Sequence, residues 1–313
     1  MALGPDCPVC SSRGAAFTRI AGFTLVRCPS PLCGHAWVAD GPKATELEKH
    51  YDTHESLFEN ANAFQVLDDY RRNPDAVRRY YHRDRIRHLE SRMAASMARP
   101  EATVLDVGCS SGVFLATLRD RGFHVCGQDV AVQAVRLGRK ELGLDLREGP
   151  LAACRIETPF DLATCYDVIE HCEDPAALLA QIRTRLVPGG WLVVRTPNHS
   201  GWLPRLTGQK WLWYIPPAHL HYFNPRSLAA LLQRTGFEVA SIRTDASTYL
   251  YLIRHYLLPG AGGGVVSLDV PAWAARAVVA LDRGVRLLAW PLLAAAARRH
   301  QNPVLEIYAR TVS

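Results

Sequence analysis

Two groups of residues in this chain have types and spacings suited to chemistry. The first is cysteine. Cys7-Pro-Val-Cys10 is followed, seventeen residues later, by Cys28-Pro-Ser-Pro-Leu-Cys33-Gly-His35. Two thiolate pairs on separate turns can close a tetrahedral zinc shell. So short a segment cannot build a sufficient core alone, and a metal would supply the missing stability. The second pair is wider than the usual two-residue spacing, so Cys33 or His35 completes the set begun by Cys7, Cys10 and Cys28. Four protein ligands leave no open position, which makes the metal structural rather than catalytic. The second group is V-L-D-V-G-C-S-S-G-V-F, from Val104 to Phe114. Gly108 and Gly112 let a ligand come close to the backbone, because no Cβ intervenes, and the helix that follows presents unpaired N–H groups at its start. The stretch reads as a site for a nucleotide-sized ligand.

The elements that must position these residues alternate. Strands are expected at Val104–Val107, 124–129, 146–149, 160–165, 191–195 and 237–242. Helices are expected at 113–121, 131–142, Pro175–Leu186 and Asn224–Thr235, with a turn at Pro188-Gly189-Gly190. Strands separated by helices of about a dozen residues imply a doubly wound parallel sheet covered on both faces. Ligands bind such sheets at the carboxyl ends of the strands. There the glycine turn follows the first strand. Asp129 ends the second, seventeen residues beyond Gly112, placed to accept hydrogen bonds from ribose hydroxyls. Gly149-Pro150-Leu151 follows the third, where an adenine edge can meet backbone. The dinucleotide fingerprint G-x-G-x-x-G and the triphosphate loop G-x-x-x-x-G-K-[ST] are both absent.

Four regions follow. Residues 1–45 form the zinc-binding knuckle, with strand-like alternation between its cysteine pairs. Residues 46–100 form a helical connector or cap. In it Val77, Tyr80, Tyr81, Ile86, Leu89, Met93 and Met97 recur at helical spacing among Arg78, Arg79, Arg83, Arg85, Arg87 and Arg92. Residues 101–245 form the core, with an acceptor insertion at 197–223. Residues 246–313 hold an apolar helical insertion and a last strand, Val304–Ala309, expected at the sheet edge. The greasy helices of 246–300 suit a lid over the acceptor or a homodimer seam ahead of a membrane surface.

The bulk properties narrow the setting. Nine cysteines, unevenly placed, argue for a reducing compartment over a disulfide scaffold. The opening M-A-L-G-P-D-C has no basic residue leading an apolar run, and no apolar stretch reaches a membrane-spanning length. A cytoplasmic protein is expected. The net charge of +6 comes from 36 basic residues, all but four of them arginine, set against 30 acidic ones. That balance permits an acidic partner without demanding one.

Read together, L-D-V-G-C-S-S-G-V-F, Gly127-Gln128-Asp129, F-D-L-A-T-C-Y-D-V-I-E-H-C-E-D-P, L-V-P-G-G-W-L-V-V-R-T-P-N and H-L-H-Y-F-N-P-R-S-L-A-A-L-L-Q-R-T-G-F span about 140 residues in one order. The chain resembles a class I S-adenosylmethionine-dependent methyltransferase, of the bacterial kind with an N-terminal four-cysteine knuckle found in natural-product and surface-glycan pathways. The resemblance implies a seven-stranded, mostly parallel sheet with a small zinc ribbon-like module at its N-terminus. It implies S-adenosylmethionine and Zn2+ as cofactors. It places Asp106 and Gly108 at the methionine end of the cofactor and Asp129 at the ribose. Cys109, Gly112, Phe114, Val130, Gly149, Leu151 and Tyr166 complete the cofactor site, and Cys7, Cys10, Cys28 and Cys33 bind the metal. Ser110 stands where the family commonly has glycine, and the Cys28–Cys33 spacing is a second departure.

A sulfonium methyl is already electrophilic, so the protein must align an acceptor and handle a proton. A sugar hydroxyl needs a base, and histidine suits that work. His171, His219 and His221 are the catalytic candidates, with His199 nearby. In an extended P-P-A-H-L-H-Y-F stretch His219 and His221 face one pocket; if the stretch turns, only one does. Clustered aromatics at W-L-W-Y-I-P-P suit either core or the mouth of an apolar pocket. The expected reaction is methyl transfer to an oxygen of a small-molecule acceptor, a sugar or natural-product intermediate. A sugar C-methyltransferase, an rRNA base methyltransferase and a non-catalytic cofactor-binding protein are the alternatives. No Asn-Pro-Pro-Tyr motif is present, and the acid-balanced charge argues against a nucleic-acid partner.

Overall fold

The computed structural model describes residues 3–42, 66–77, 82, 85–91, 102–156, 159–245, 284 and 291–312. The chain divides into two compact units, one of residues 1–47, 156–246 and 293–313, the other of residues 48–155 and 247–292.

The second unit holds the parallel strands β5 (Thr103–Val107), β6 (His124–Asp129) and β7 (Asp145–Glu148), joined through α1 (Val113–Arg119) and α2 (Val132–Leu142). Residues Val113 to Leu118 of α1 are all buried, because a short helix beside a sheet buried on both faces has no solvent side. Gly143, at φ 62°, ends α2 in the left-handed conformation that glycine adopts freely. From the connector, Val77, Ile86 and Leu89 are buried. Tyr80, Tyr81, Arg78, Arg79, Arg83, Arg92, Met93 and Met97 lie outside the described residues, as does nearly all of the 246–290 stretch.

The first unit holds two sheets. An antiparallel sheet runs β1 (Leu3–Asp6), β2 (Arg13–Ile20), β3 (Phe23–Arg27), β4 (Ala36–Val38) and β10 (His221–Tyr222). Its last pair sets His221 opposite Trp37. Strands β8 (Phe160–Tyr166) and β9 (Leu186–Pro197) are parallel. Strand β12 (Val304–Thr311) runs antiparallel to both β9 and β11 (Phe237–Asp245). The order of the seven-stranded sheet is β11-β12-β9-β8-β5-β6-β7, a mixed sheet of the methyltransferase type.

Two expectations need correction. The last strand is not at the edge. It lies between β9 and β11, with Ile307 opposite both Val194 and Ile242. Val304 to Ala309 are accordingly buried without interruption, the signature of an interior strand rather than an edge. The strand expected at 191–195 begins instead at Leu186 and runs through Pro188-Gly189-Gly190, an irregularity in its pairing with β8 absorbing the extra residues.

This unit also holds two further helices, α3 (Pro175–Arg183) and α4 (Trp202–Thr207). A third, α5 (Pro225–Arg234), opens on a capping box of Asn224 and Ser227. Asn224 also donates from Nδ2 to the Cys33 carbonyl at 2.8 Å, and Arg234 donates to the Val9 and Pro8 carbonyls at 2.7 and 2.6 Å. One helix thus grips both cysteine turns.

Candidate functional site

In the second unit, the turn after β5 is built by residues in left-handed conformations: Gly108 at φ 77°, Ser110 at φ 52° and Gly112 at φ 76°. Serine holds this conformation at a cost glycine does not bear. The Gly108 and Cys109 amides donate to the Gln128 carbonyl at 2.7 and 3.0 Å, and the Gly112 amide to the Cys109 carbonyl at 2.9 Å. The Ser110 amide donates to Asp129 Oδ2 at 2.6 Å, and the Ala131 amide to Asp129 Oδ1 at 2.8 Å. Burial raises the Asp129 carboxyl above the usual carboxylate range, against the lowering effect of these backbone donors. Asp106 is buried at the end of β5.

Around this turn the chain leaves no spare room. A Cβ on Gly127 would stand 2.7 Å from Cys109 Sγ, and one on Gly138, in α2, 2.3 Å from the Ser111 carbonyl oxygen. The Cys109 thiol therefore covers β6, and burial pushes it well above its ordinary range. The Gly149 amide donates to the Asp129 carbonyl at 3.0 Å and the Gly149 carbonyl accepts from Gln128 Nε2, so this glycine fixes the loop to β6. Leu151 is buried in a short helical turn just beyond. Phe114 is buried against the His82 ring, 5.3 Å between centroids, and Val130 follows Asp129, half-buried.

In the first unit, Tyr166 ends β8, buried, and the loop after it carries Glu170 and His171. His171 Nδ1 lies 2.8 Å from the Ala218 carbonyl and His219 Nδ1 lies 3.0 Å from the Trp213 carbonyl. A carbonyl only accepts, so both Nδ1 atoms carry the proton and both Nε2 atoms keep a lone pair. The two rings meet edge to face, 4.6 Å apart. Glu170 is buried and accepts from Thr196 Oγ1 at 2.9 Å, while its backbone carbonyl accepts from the Leu220 amide at 2.8 Å. Ligand-capable atoms of Glu170, His171 and His219 all lie within 4.8 Å of one another. Burial lowers His171 to about 4 and puts His219 well below its usual value. Burial, with the neighbouring Asp167, raises Glu170 to about 8. Asp167 is itself paired with the buried Arg195 guanidinium.

His221 is elsewhere. Its Nδ1 is 3.1 Å from His35 Nε2, and hydrogen bonding to the Glu173 and Cys172 backbone partly offsets the burial that lowers it to about 4. The stretch turns at 216–218 and enters β10 only at His221, and only His219 joins His171. The tryptophan-rich run is only partly core: Trp211 and Leu212 are buried, Trp213 and Tyr214 half-buried and Ile215 exposed. Trp211 is buried edge-on to Trp213 and Tyr214, and the Tyr214 hydroxyl lies 2.7 Å from His199 Nε2. This packing fixes the segment whose Trp213 carbonyl orients His219.

The four cysteine sulfurs also converge. Cys7 and Cys33 Sγ are 3.7 Å apart, Cys10 and Cys28 Sγ 3.5 Å, and all four lie within 4.8 Å of one another. Tetrahedral zinc with bonds of about 2.3 Å holds its sulfurs about 3.8 Å apart, which this arrangement fits. Of the two candidates for the fourth ligand, Cys33 is in the cluster. The His35 ring packs against Trp37, His221 and Phe223.

The family model for a methyltransferase domain matches residues 77–242, just over half of the chain. The chain belongs to the S-adenosylmethionine-dependent methyltransferases. This methyltransferase is 30% identical to a ubiquinone biosynthesis O-methyltransferase of Paraburkholderia xenovorans over 169 residues, 50% of this chain and 72% of the relative. It is 32% identical to the protein of the same name from Azotobacter vinelandii over 168 residues, again 50% and 72%. A solved S-adenosylmethionine-dependent methyltransferase from Mesorhizobium loti has an 18% identical sequence and a TM-score of 0.45, over 71% of this chain and 97% of that one.

The glycine turn fits the methyltransferase cofactor better than it fits a phosphate. The Gly108, Cys109, Ser110 and Gly112 amides already donate within the protein, whereas a pyrophosphate site needs such amides for its oxygens. The turn gathers carboxylates instead, acceptors suited to hydroxyl and ammonium groups.

Sequence reasoning missed Gly138, whose only signal is a glycine in the middle of a helical pattern. It also missed Gln128, Thr196, Asn224 and Arg234, polar residues whose partners are distant in sequence and so invisible to local pattern.

Proposed function

We propose that this methyltransferase methylates a hydroxyl oxygen of a small-molecule acceptor, a sugar or natural-product intermediate. When bound, S-adenosylmethionine supplies an electrophilic methyl group. Asp106 and Gly108 hold its methionine end and Asp129 its ribose. Cys109, Gly112, Phe114 and Val130 line the turn, Gly149 and Leu151 flank the adenine, and Tyr166 stands on the side of the transferred methyl. Asp129 already accepts from two backbone amides, so the ribose shares a carboxylate held in a fixed orientation.

The observation that carries the oxygen reading is the Glu170–His171–His219 cluster. Two imidazoles, each fixed by a backbone carbonyl, lie in one cluster with the buried Glu170, an arrangement suited to binding a hydroxyl and receiving its proton. The cluster would hold the acceptor hydroxyl and receive its proton as that oxygen takes the methyl group that bound S-adenosylmethionine would supply. The names of the O-methyltransferase relatives support this reading. His221 takes no part in the proton transfer and braces the loop after β8 against the N-terminal sheet.

The four-cysteine cluster is read as a structural zinc site of Cys7, Cys10, Cys28 and Cys33. Native mass spectrometry is expected to show one zinc and, on addition, one S-adenosylmethionine per chain. A labelled-methyl screen of sugar and phenolic acceptors, with the product's new bond assigned by fragmentation, tests the oxygen reading. A C-methyl product would refute it.

A further inference from the structure

We propose that Arg195 is a positioning residue for methyl transfer: from β9 it clamps the loop after β8 that carries Glu170 and His171, and a buried row of charges running back through Glu306 to Arg243 holds its guanidinium in place. The inference rests on the reading of that loop as part of the cluster that receives the acceptor's proton, and it specifies what holds the loop still.

Strand β9 meets the loop with two neighbouring residues. The Asp167 amide donates to the Arg195 carbonyl at 2.9 Å, and the Asp167 carboxylate pairs with the Arg195 guanidinium. Next along the strand, Thr196 Oγ1 donates to the Glu170 carboxylate at 2.9 Å. Neighbouring residues of a strand point to opposite faces, so the two grips lie on the two faces of the sheet. Between them the chain turns sharply. Asp167 takes φ 59°, a left-handed conformation that costs a residue with a Cβ about 1–2 kcal/mol, and the His171 amide closes the turn on the Val168 carbonyl at 2.9 Å. Such strain beside a site persists where the surroundings over-determine it, and the double contact with Arg195 does so.

The row behind Arg195 is the second observation. Glu306 of β12 stands opposite Arg195 on one side and Arg243 of β11 on the other. Its Oε1 accepts from the Tyr308 hydroxyl at 2.6 Å and pairs with Arg243 Nη1 at 3.3 Å, and Arg243 Nη2 lies 3.6 Å from Asp245 Oδ2. Asp167, Asp245 and Glu306 all act on the Arg195 charge. Arg195 and Glu306 are buried, whereas 42% of the Asp167 side chain is exposed. The row therefore starts inside the sheet and opens at the loop. Buried ion pairs seldom add stability over apolar residues of the same volume, so the fold alone gives little reason to string charges across β9, β12 and β11. Fixing the loop at their open end gives one.

The test removes the row without stranding a charge. Arg195→Met combined with Glu306→Gln takes out one buried charge of each sign, so the full chain should melt within about 5 °C of the parent. Hydrogen–deuterium exchange read by mass spectrometry then reports the loop. Amides of residues 167–172 are expected to exchange at least about tenfold faster in the double variant, while those of 191–194, inside β9, keep the parent's rate. Arg195→Lys, which keeps the charge but not the planar guanidinium, should fall between. Asp167→Asn tolerates the left-handed conformation and leaves Arg195 and Glu306 in place. It should loosen the same amides, and it decides the matter if the double variant does not fold. Unchanged exchange at 167–172 in the folded variants overturns the clamp and leaves the oxygen reading intact. Methyl transfer is measured on the acceptor that the labelled-methyl screen returns. There kcat should fall at least about tenfold, with KM for S-adenosylmethionine within about twofold of the parent's and partial recovery in Arg195→Lys. A loosened loop with unchanged kcat sinks the reading of the cluster as proton acceptor, and the proposal with it.

Discussion

Gly138 offers the sharpest test of how the cofactor turn is held. It lies inside α2, where replacing glycine by alanine ordinarily stabilises a helix by up to about 1 kcal/mol. Here the added Cβ would stand 2.3 Å from the Ser111 carbonyl oxygen, 2.7 Å from Leu146 Cδ1 and 2.9 Å from the Ser111 carbonyl carbon. Ordinary contacts lie at about 3.5 Å, so helix and turn must separate by roughly an ångström. The nearest atom is backbone and cannot rotate away. Overpacking of this kind costs about 1–3 kcal/mol, which outweighs the propensity gain. Gly138→Ala should therefore lower the unfolding midpoint. It should also weaken S-adenosylhomocysteine binding at least tenfold, about 1.4 kcal/mol, measured by calorimetry. Gly143→Ala, at the end of the same helix, is the control. Its Cβ meets nothing within 4 Å, but its φ is +62°, so it should cost about 1–2 kcal/mol of stability and leave affinity unchanged. A Gly138→Ala protein that melts higher than the parent and binds the cofactor within twofold would show that this contact does not position the turn.

Three further outcomes are expected. Ser110→Gly relieves a left-handed serine at φ 52° and keeps the amide that binds Asp129. After glycine's greater chain entropy is offset, it should be neutral to about 1 kcal/mol more stable by thermal melting, and a clear loss would mean that the hydroxyl itself matters. Arg234→Ala removes two hydrogen bonds to the Pro8 and Val9 carbonyls. It should cost about 1–3 kcal/mol and speed the release of zinc to a chelator, whereas unchanged release would mean the cysteine turn stands without α5. His199 is lowered to about 3 from 6.5 by burial. Between pH 7 and 5 the unfolded chain therefore takes up a proton that the folded protein refuses, and stability falls as pH falls, by about 2 kcal/mol at this one residue. The melting temperature of His199→Gln should drop less over that range than the parent's, and an equal drop would refute the assignment.

Much of this architecture was legible because the parallel core writes itself locally. The run Val104–Val107, the glycines at 108 and 112, and Asp129 all act within about 25 residues of one another, and the structure joins Ser110 to Asp129 directly. The position of β12 was not legible. A strand of eight residues reads alike at an edge or between neighbours until its burial is known, and this one carries the polar Glu306 near its middle. In the structure Glu306 is buried, with the Tyr308 hydroxyl donating to it at 2.6 Å. The partners of the cysteine turns were hidden for a related reason. Asn224 and Arg234 are about 190 and 225 residues from the carbonyls they bind, and nothing in a local pattern encodes that distance.

His219 and His221 show where periodicity stops being a guide. Two residues apart in an extended chain, they should face one way. The rule holds only while the backbone stays in one strand, and here β10 begins at His221. His219 precedes it, fixed by the Trp213 carbonyl toward Glu170 and His171, while His221 enters the register of the N-terminal sheet opposite Trp37 and meets His35. The Leu220 amide between them donates to the Glu170 carbonyl. One backbone bond thus sets the boundary at which a single sequence pattern supplies a histidine to the Glu170–His171 cluster on one side and a partner for His35 in the N-terminal sheet on the other. Loss of the brace in His221→Ala should therefore loosen the N-terminal sheet before it touches the cluster, read as faster zinc release with methyl transfer retained. Loss of methyl transfer with zinc release unchanged would mean that the two histidines share one role after all.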